Sequence, residues 1–239
     1  MNKIYFVTGS QDLYGEETLA QAARDSAKMA DFLNEKLSDI AEVVFQPVVK
    51  TADEAEDICV RASSDKECIG VIMWMHTFSP AKMWIRALKA LKKPMLHLHT
   101  QFNEKLPYDS IDMDFMNLNQ SAHGDREFGF ICTRLGIRRE VVAGYYQHED
   151  VTEKIRRFAY AASAAAFSRT LRVAMLGNNM RDVAVTDGDR VESEIRFGWN
   201  VNYYGIGDVA EIADSVTESE TDAKMAEYAE KYTMATDNI

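Results

Sequence analysis

The chain has 239 residues, enough for one large domain or a domain and a half around a sizeable core. Its net charge of −11, with basic residues in short pairs such as Arg138-Arg139 and Arg156-Arg157, argues against a nucleic-acid partner. No apolar run approaches the ~18 residues of a membrane span, no cationic-fronted apolar leader opens the sequence, and a cytoplasmic protein is expected.

In chain order, residues 3–8 form a short apolar, β-branched and aromatic run suited to a strand buried on both faces. The loop Gly9-Ser-Gln-Asp-Leu-Tyr-Gly15 follows, and a helix is predicted over 17–37 with Leu19, Ala22, Ala23, Met29, Leu33 and Leu37 on one stripe. Strands are predicted at 42–49, 69–75 and 94–99, alternating with helices at 52–63 and 80–91, the latter with Pro80 in its first turn. A helix over 120–135, a short strand at 140–144 and a crossing helix at 149–167 complete this part. A new cycle then begins with a strand at 171–176, a helix at 189–197, a strand at 200–204 and one or two helices over 207–231. Alternation of this kind predicts an α/β fold, a doubly wound parallel sheet of Rossmann or flavodoxin-like type, with a second, incomplete α/β domain. The domains expected are 1–169 and 170–239.

Open parallel sheets bind ligands beyond the carboxyl ends of their strands. Three post-strand segments should therefore share one rim, with Gln11, Tyr14, His76, Phe78, His99 and Gln101 along it. Beside them, residues 109–130 concentrate Asp, Asn, Gln, His, Arg and Glu among apolar residues. A chain that only needs to fold seldom gathers so many polar groups near its core, so a site for a small polar molecule is expected.

Each constellation has a plainer reading. His97 and His99 share one strand face and could chelate a metal, or they could be hydrogen-bonded strand-end histidines with no third ligand nearby in sequence. His123 near a helix start could meet a sugar hydroxyl or bond to backbone. Asp109, Asp112 and Asp114 could be catalytic carboxylates, although acids ahead of a helix usually cap it. Trp74, Phe78 and Trp84 could stack on a sugar ring or belong to the core. The loop at residues 9–15 lacks both GxGxxG spacing and a GKS/T ending, which makes a flavodoxin-like nucleotide binder the weakest reading. Cys59, Cys68 and Cys132, without CxxC spacing, read as reduced thiols.

At these residues the chain resembles the N-terminal portion of an L-arabinose isomerase. The motifs are Gly9-Ser-Gln-Asp-Leu-Tyr-Gly15, His76-Thr-Phe-Ser-Pro-Ala-Lys-Met-Trp84, His99-Thr-Gln-Phe-Asn103, residues 110–120, His123-Gly, Arg126-Glu-Phe-Gly-Phe130 and residues 179–189. The resemblance implies an aldose–ketose isomerase that interconverts L-arabinose and L-ribulose through an ene-diol, some members also taking D-galactose. A divalent cation, usually Mn²⁺, bridges the sugar oxygens in the full-length enzyme, and two glutamates move the proton. It implies a hexamer of two stacked trimers, with residues 1–169 as the sugar-rim and oligomerisation domain. It also implies that Gln11, Leu13, Tyr14, Phe78, Gln120 and His123 contact the sugar across a subunit interface, and that Met180 approaches it from the second domain. None of the five histidines maps to a metal ligand of the family, whose pattern would continue past residues 232–234. The expectation is therefore a truncated, inactive form with no metal of its own. The alternative is a stand-alone, non-catalytic sugar-binding or assembly module.

Overall fold

The computed structural model describes residues 1–233 and 235. Met234, the last residue of the stretch past which the family pattern is expected to continue, lies outside the described residues. The chain divides into two compact units, Met1–Ala166 and a second that begins at Phe167.

The first unit is built on a parallel sheet of β1 (Lys3–Thr8), β2 (Glu42–Phe45), β3 (Cys68–Trp74), β4 (Met95–His99) and β5 (Glu140–Ala143), in the order β2-β1-β3-β4-β5. Strand β3 is buried at every position, as a central strand covered on both faces must be. Alternate residues face opposite layers. Ile4, Phe6, Ile72, Trp74, Leu96 and Leu98 pack under α1 (Gly15–Leu37) and α6 (Glu149–Ser168). Tyr5, Val7, Val71, Met73 and Met95 pack under α2 (Ala52–Ser64), α3 (Trp84–Ala90) and α5 (Ser121–Arg134). The doubly wound sheet expected from the alternating pattern is the sheet observed.

Several boundaries shift for local reasons. The second strand stops at Phe45 because Pro47 has no N–H for the ladder, and pairing resumes only as an isolated bridge between Gly9 and Val49. The helix expected from Pro80 opens as a tight 3₁₀ turn, Ala81–Met83, before α3. A short helix, α4 (Met113–Leu118), was not foreseen; the Asp112 carboxylate caps it by accepting from Phe115 N at 2.8 Å.

The second unit holds β6 (Arg172–Leu176) paired in parallel with β7 (Asn200–Tyr204), α7 (Arg190–Phe197), α8 (Ile206–Ser215) and α9 (Glu218–Lys231). The helical stretch from residue 207 breaks in two at Val216, which is extended, and Thr217 with Glu220 forms the capping box that restarts it. No described residue of this unit is buried. Among the described residues no helix is long and apolar enough to cross a membrane.

Candidate functional site

Chain order reverses direction across the sheet between β1 and β3, which makes their carboxyl ends the place where an open α/β sheet forms a crevice. Gly9 follows β1 there because nothing larger fits. A Cβ at this position would come within 2.6 Å of Met75 Sδ and 2.7 Å of Ser79 Oγ. The backbone at Ser10 is thereby drawn against the loop after β3, and Ser10 Oγ and Thr77 Oγ1 share a buried hydrogen bond of 2.7 Å.

That loop is pinned from every side. Ser121 Oγ, at the start of α5, donates to the His76 carbonyl at 3.3 Å. The indole of Trp84 donates to Ser79 Oγ at 3.0 Å, and Ala81 N donates to Glu127 Oε2 at 2.9 Å. Between these ties sits Phe78, half-buried, its ring stacked on that of the exposed His123 with centroids 4.5 Å apart and planes at 28°. Gln11 adjoins Ser10 and Gln120 adjoins Ser121, so the amides flank the two segments bonded to the Phe78 loop. Gln120 Nε2 donates to Asn117 Oδ1 at 3.3 Å.

The remaining expected residues are more dispersed. Leu13 is 84% exposed on the 3₁₀ turn Asp12–Tyr14. Tyr14 lines a cleft of about 480 Å³ with Gln21, Arg24, Asp114 and Phe115. Met180 is exposed in the second unit, in the loop after β6. His99 and Gln101 line another cleft, of about 390 Å³, with Asn103, Lys105 and Tyr145. His76 departs from expectation. It is fully buried rather than displayed on the rim, its ring stacked on Trp74 at 4.2 Å and its Nε2 3.3 Å from Asp25 Oδ2.

The two strand histidines turn to a carboxyl group. His97 Nε2 lies 2.8 Å from Asp125 Oδ1, which also accepts from Met75 N at 3.2 Å, while His99 Nε2 stands 3.9 Å from Oδ2. Burial pushes the His97 imidazole down to about 4, and the nearby Arg139 charge acts in the same direction. Burial also holds the Asp125 carboxyl well above the usual carboxylate range, an effect that His99 only partly offsets. Both shifts favour the uncharged forms of the pair. The imidazoles converge on one acid, His97 from inside the fold and His99 from the cleft, and among the described residues no group of three or more His, Cys, Asp or Glu could hold a metal ion. A divalent cation therefore does not fit the described donors.

Phosphate fits poorly too. The helix that follows the first loop opens with Glu16 and Glu17, which place negative charge where a phosphate-binding helix start would leave bare N–H groups.

Asp25, Ser10, Ser121 and Asp125 organise the site; Ser10, Ser121 and Asp125 fall inside the marked segments 9–15 and 109–130 without being distinguished there, and Asp25 lies outside them. The signal for Asp25 was present: it stands three residues after Ala22 and four before Met29, an acid inside the apolar stripe of α1. Asp125 likewise stands between Ser121 and Phe128 on the buried side of α5.

Residues 1–170 match the model of the L-arabinose isomerase N-terminal domain, and residues 172–239 match that of the L-arabinose isomerase central domain. Similar proteins include the L-arabinose isomerase of Geobacillus thermodenitrificans (strain NG80-2), 52% identical over 230 residues that make up 96% of this chain and 46% of that protein. The one from Thermotoga petrophila is 47% identical over 235 residues, 98% of this chain and 47% of its own. The one from Mycolicibacterium smegmatis is 52% identical over 233 residues, 98% and 46% respectively. The chain spans about half the length of the relatives it matches.

Proposed function

This chain belongs to the L-arabinose isomerase family, and from that premise we propose that it forms the sugar-holding rim of an aldose–ketose isomerase interconverting L-arabinose and L-ribulose. The observation that carries this reading is the stack of Phe78 on His123 at the carboxyl edge of the sheet, with Gln11 and Gln120 on the segments bonded to either side of its loop. A pentose offers C–H faces and a girdle of hydroxyls. An aromatic ring takes the first, while amide and imidazole groups take the second. Leu13 and Tyr14 extend the contact along the first loop, and Met180 is assigned a contact of its own on the second unit.

The rim residues are half-buried or exposed, which suits a surface that a neighbouring copy completes in a homo-oligomer. Mn²⁺, which the family resemblance implies for the full-length enzyme, is given no ligand among the described residues and no step in this reading. The part assigned to the chain is to bind and orient the sugar and to keep water from one of its faces.

Saturation-transfer NMR with L-arabinose and ribitol tests this. The expected result is transfer to the sugar protons from wild-type chain and its loss in the double variant F78A/H123A. Equal transfer in wild type and variant, or none from wild type at tens of millimolar sugar, would refute it. Conversion of L-arabinose to L-ribulose by this chain with added Mn²⁺ would put proton transfer on these residues and end the division of labour. A stand-alone sugar-binding module would bind unaided and tightly, so direct titration of the chain with L-arabinose or ribitol separates the two readings by affinity.

A further inference from the structure

The first unit buries two acids, Asp25 and Asp125, and the sugar-holding role uses neither. Asp25 projects from the middle of α1 and is 2% exposed. Its Oδ1 accepts from Gln21 Nε2 at 2.7 Å and its Oδ2 faces His76 Nε2 at 3.3 Å. A buried carboxyl is costly unless partnered, and here both oxygens are committed, one within its own helix and one to the loop after β3. His76 is the only residue through which α1 reaches that loop by a side-chain hydrogen bond among the described residues. Its ring is wedged against Trp74, whose indole in turn donates to Thr100 O at 2.9 Å. The His76 carbonyl is held by Ser121, and Thr77 by Ser10. Phe78 comes next in the chain and stacks on His123.

We propose that Asp25 is a positioning residue: through His76 it fixes the loop that presents Phe78 to His123, and so sets the aromatic surface offered to the sugar. The argument is one of degrees of freedom. A residue two peptide units from a fixed imidazole and one from a fixed threonine has little freedom left in its backbone. Releasing the imidazole frees the ring that must lie flat on His123, and a preorganised binding face is lost without loss of any group that touches the ligand. The sugar-binding half of this inference rests on the function proposed above; the geometric half does not.

Three variants test it. Asp25→Ala removes the anchor and leaves a buried imidazole without its partner. Asp25→Asn keeps an acceptor and a donor in the same place and should restore wild-type behaviour. The double variant D25L/H76F replaces both partners by apolar groups of similar shape, a change that is close to neutral for folding when both members of a hydrogen bond go together. The first readout is the ring-current shift on the His123 imidazole protons, which reports the Phe78 stack directly. It should diminish in D25A and in D25L/H76F and persist in D25N. The second is sugar affinity, expected to weaken about fivefold in the same two variants with melting of D25L/H76F unchanged, a loss of the size of one aromatic contact. A D25L/H76F chain whose His123 shift matches wild type overturns the proposal. If F78A leaves sugar binding intact, the functional reading fails; if F78A weakens binding while D25L/H76F does not, only the positioning role fails.

Discussion

His97 Nε2 and Asp125 Oδ1 share one hydrogen bond of 2.8 Å beneath helix α5, and neither side chain reaches solvent. The partner atoms on the far sides of both groups, His97 Nδ1 and Asp125 Oδ2, are buried without a hydrogen bond among the described residues. Such a pair has two ways to exist, as ions or as neutral groups. Burial pushes His97 down, to about 4, and Asp125 up, and both shifts favour the neutral form.

Stability should therefore respond to pH in opposite senses at the two residues. Asp125 keeps a proton in the folded state that the unfolded chain releases near 3.8, so its contribution is complete below that pH and is lost as pH rises towards its folded value. His97 takes up a proton in the unfolded chain near 6.5 and in the folded chain only near 4, so its contribution is complete above 6.5 and is lost as pH falls. Asp125→Asn mimics the protonated acid and deletes only the first effect. Its stability relative to wild type is expected to rise as pH goes up from 5 towards the folded value of Asp125, with a slope of at most about 1.4 kcal/mol per unit. Urea melts of both proteins across that range measure it. A difference that stays level or shrinks across that range would mean that the folded pair holds no proton the unfolded chain lacks, and would overturn the expectation.

Gly124 sits one residue from His123, where α5 crosses the end of β3. A Cβ there would lie 2.8 Å from Thr77 O and 3.1 Å from Met75 Cβ, and the first of these is backbone that cannot swing aside. In an exposed helix, alanine for glycine would stabilise by about 1 kcal/mol. Here overpacking costs about 1–3 kcal/mol and prevails. Gly124→Ala is expected to lower the melting temperature and to lift His123 away from Phe78, so that sugar-dependent saturation transfer falls with it. Equal or greater stability in the variant would show that α5 has room the described packing lacks.

The sheet was legible in the sequence because its central strands are continuous apolar runs, such as residues 69–75, separated by helices with clear stripes. Rim residues on loops after those strands were legible for the same reason: Phe78 follows β3 by a few residues and cannot be elsewhere. What was not legible was which polar residue faces inward. His76 and Phe78 both belong to the loop, yet His76 is buried because Asp25, fifty-one residues earlier on α1, offers its carboxyl. The partnership between His97 and Asp125 is hidden in the same way, since twenty-eight residues separate them. Period and propensity carry information about neighbours along the chain, whereas a buried polar pair is decided by what the fold brings opposite. Pro47, which has no N–H to give, ends β2 at Phe45, short of the strand expected to residue 49, and Asp112 caps the short helix α4 that no apolar stripe announces.

The second unit should differ from the first in durability. From Phe167 onward no described residue is buried, and Val185 at 92%, Ile195 at 72% and Ile206 at 67% exposure leave apolar side chains facing solvent. The first unit, by contrast, holds two apolar layers with Ile4, Phe6, Leu33, Ile72 and Trp84 wholly enclosed. Local opening is cheapest where few apolar groups are buried, because little hydrophobic free energy is lost on exposure. Brief trypsin treatment is thus expected to cut first at Arg169, Arg172, Arg181, Arg190 or Arg196 and to leave a resistant fragment ending close to residue 169. The same uncovered surface should add to self-association of the whole chain as concentration rises, and removal of the second unit should reduce it. Light scattering on intact and trimmed chain measures the second effect, mass spectrometry of the digest the first. A chain that stays monomeric at high concentration and is cut as readily at Arg61 in α2 or Arg126 in α5 as after Phe167 would show that the apolar side chains of the second unit are covered in solution.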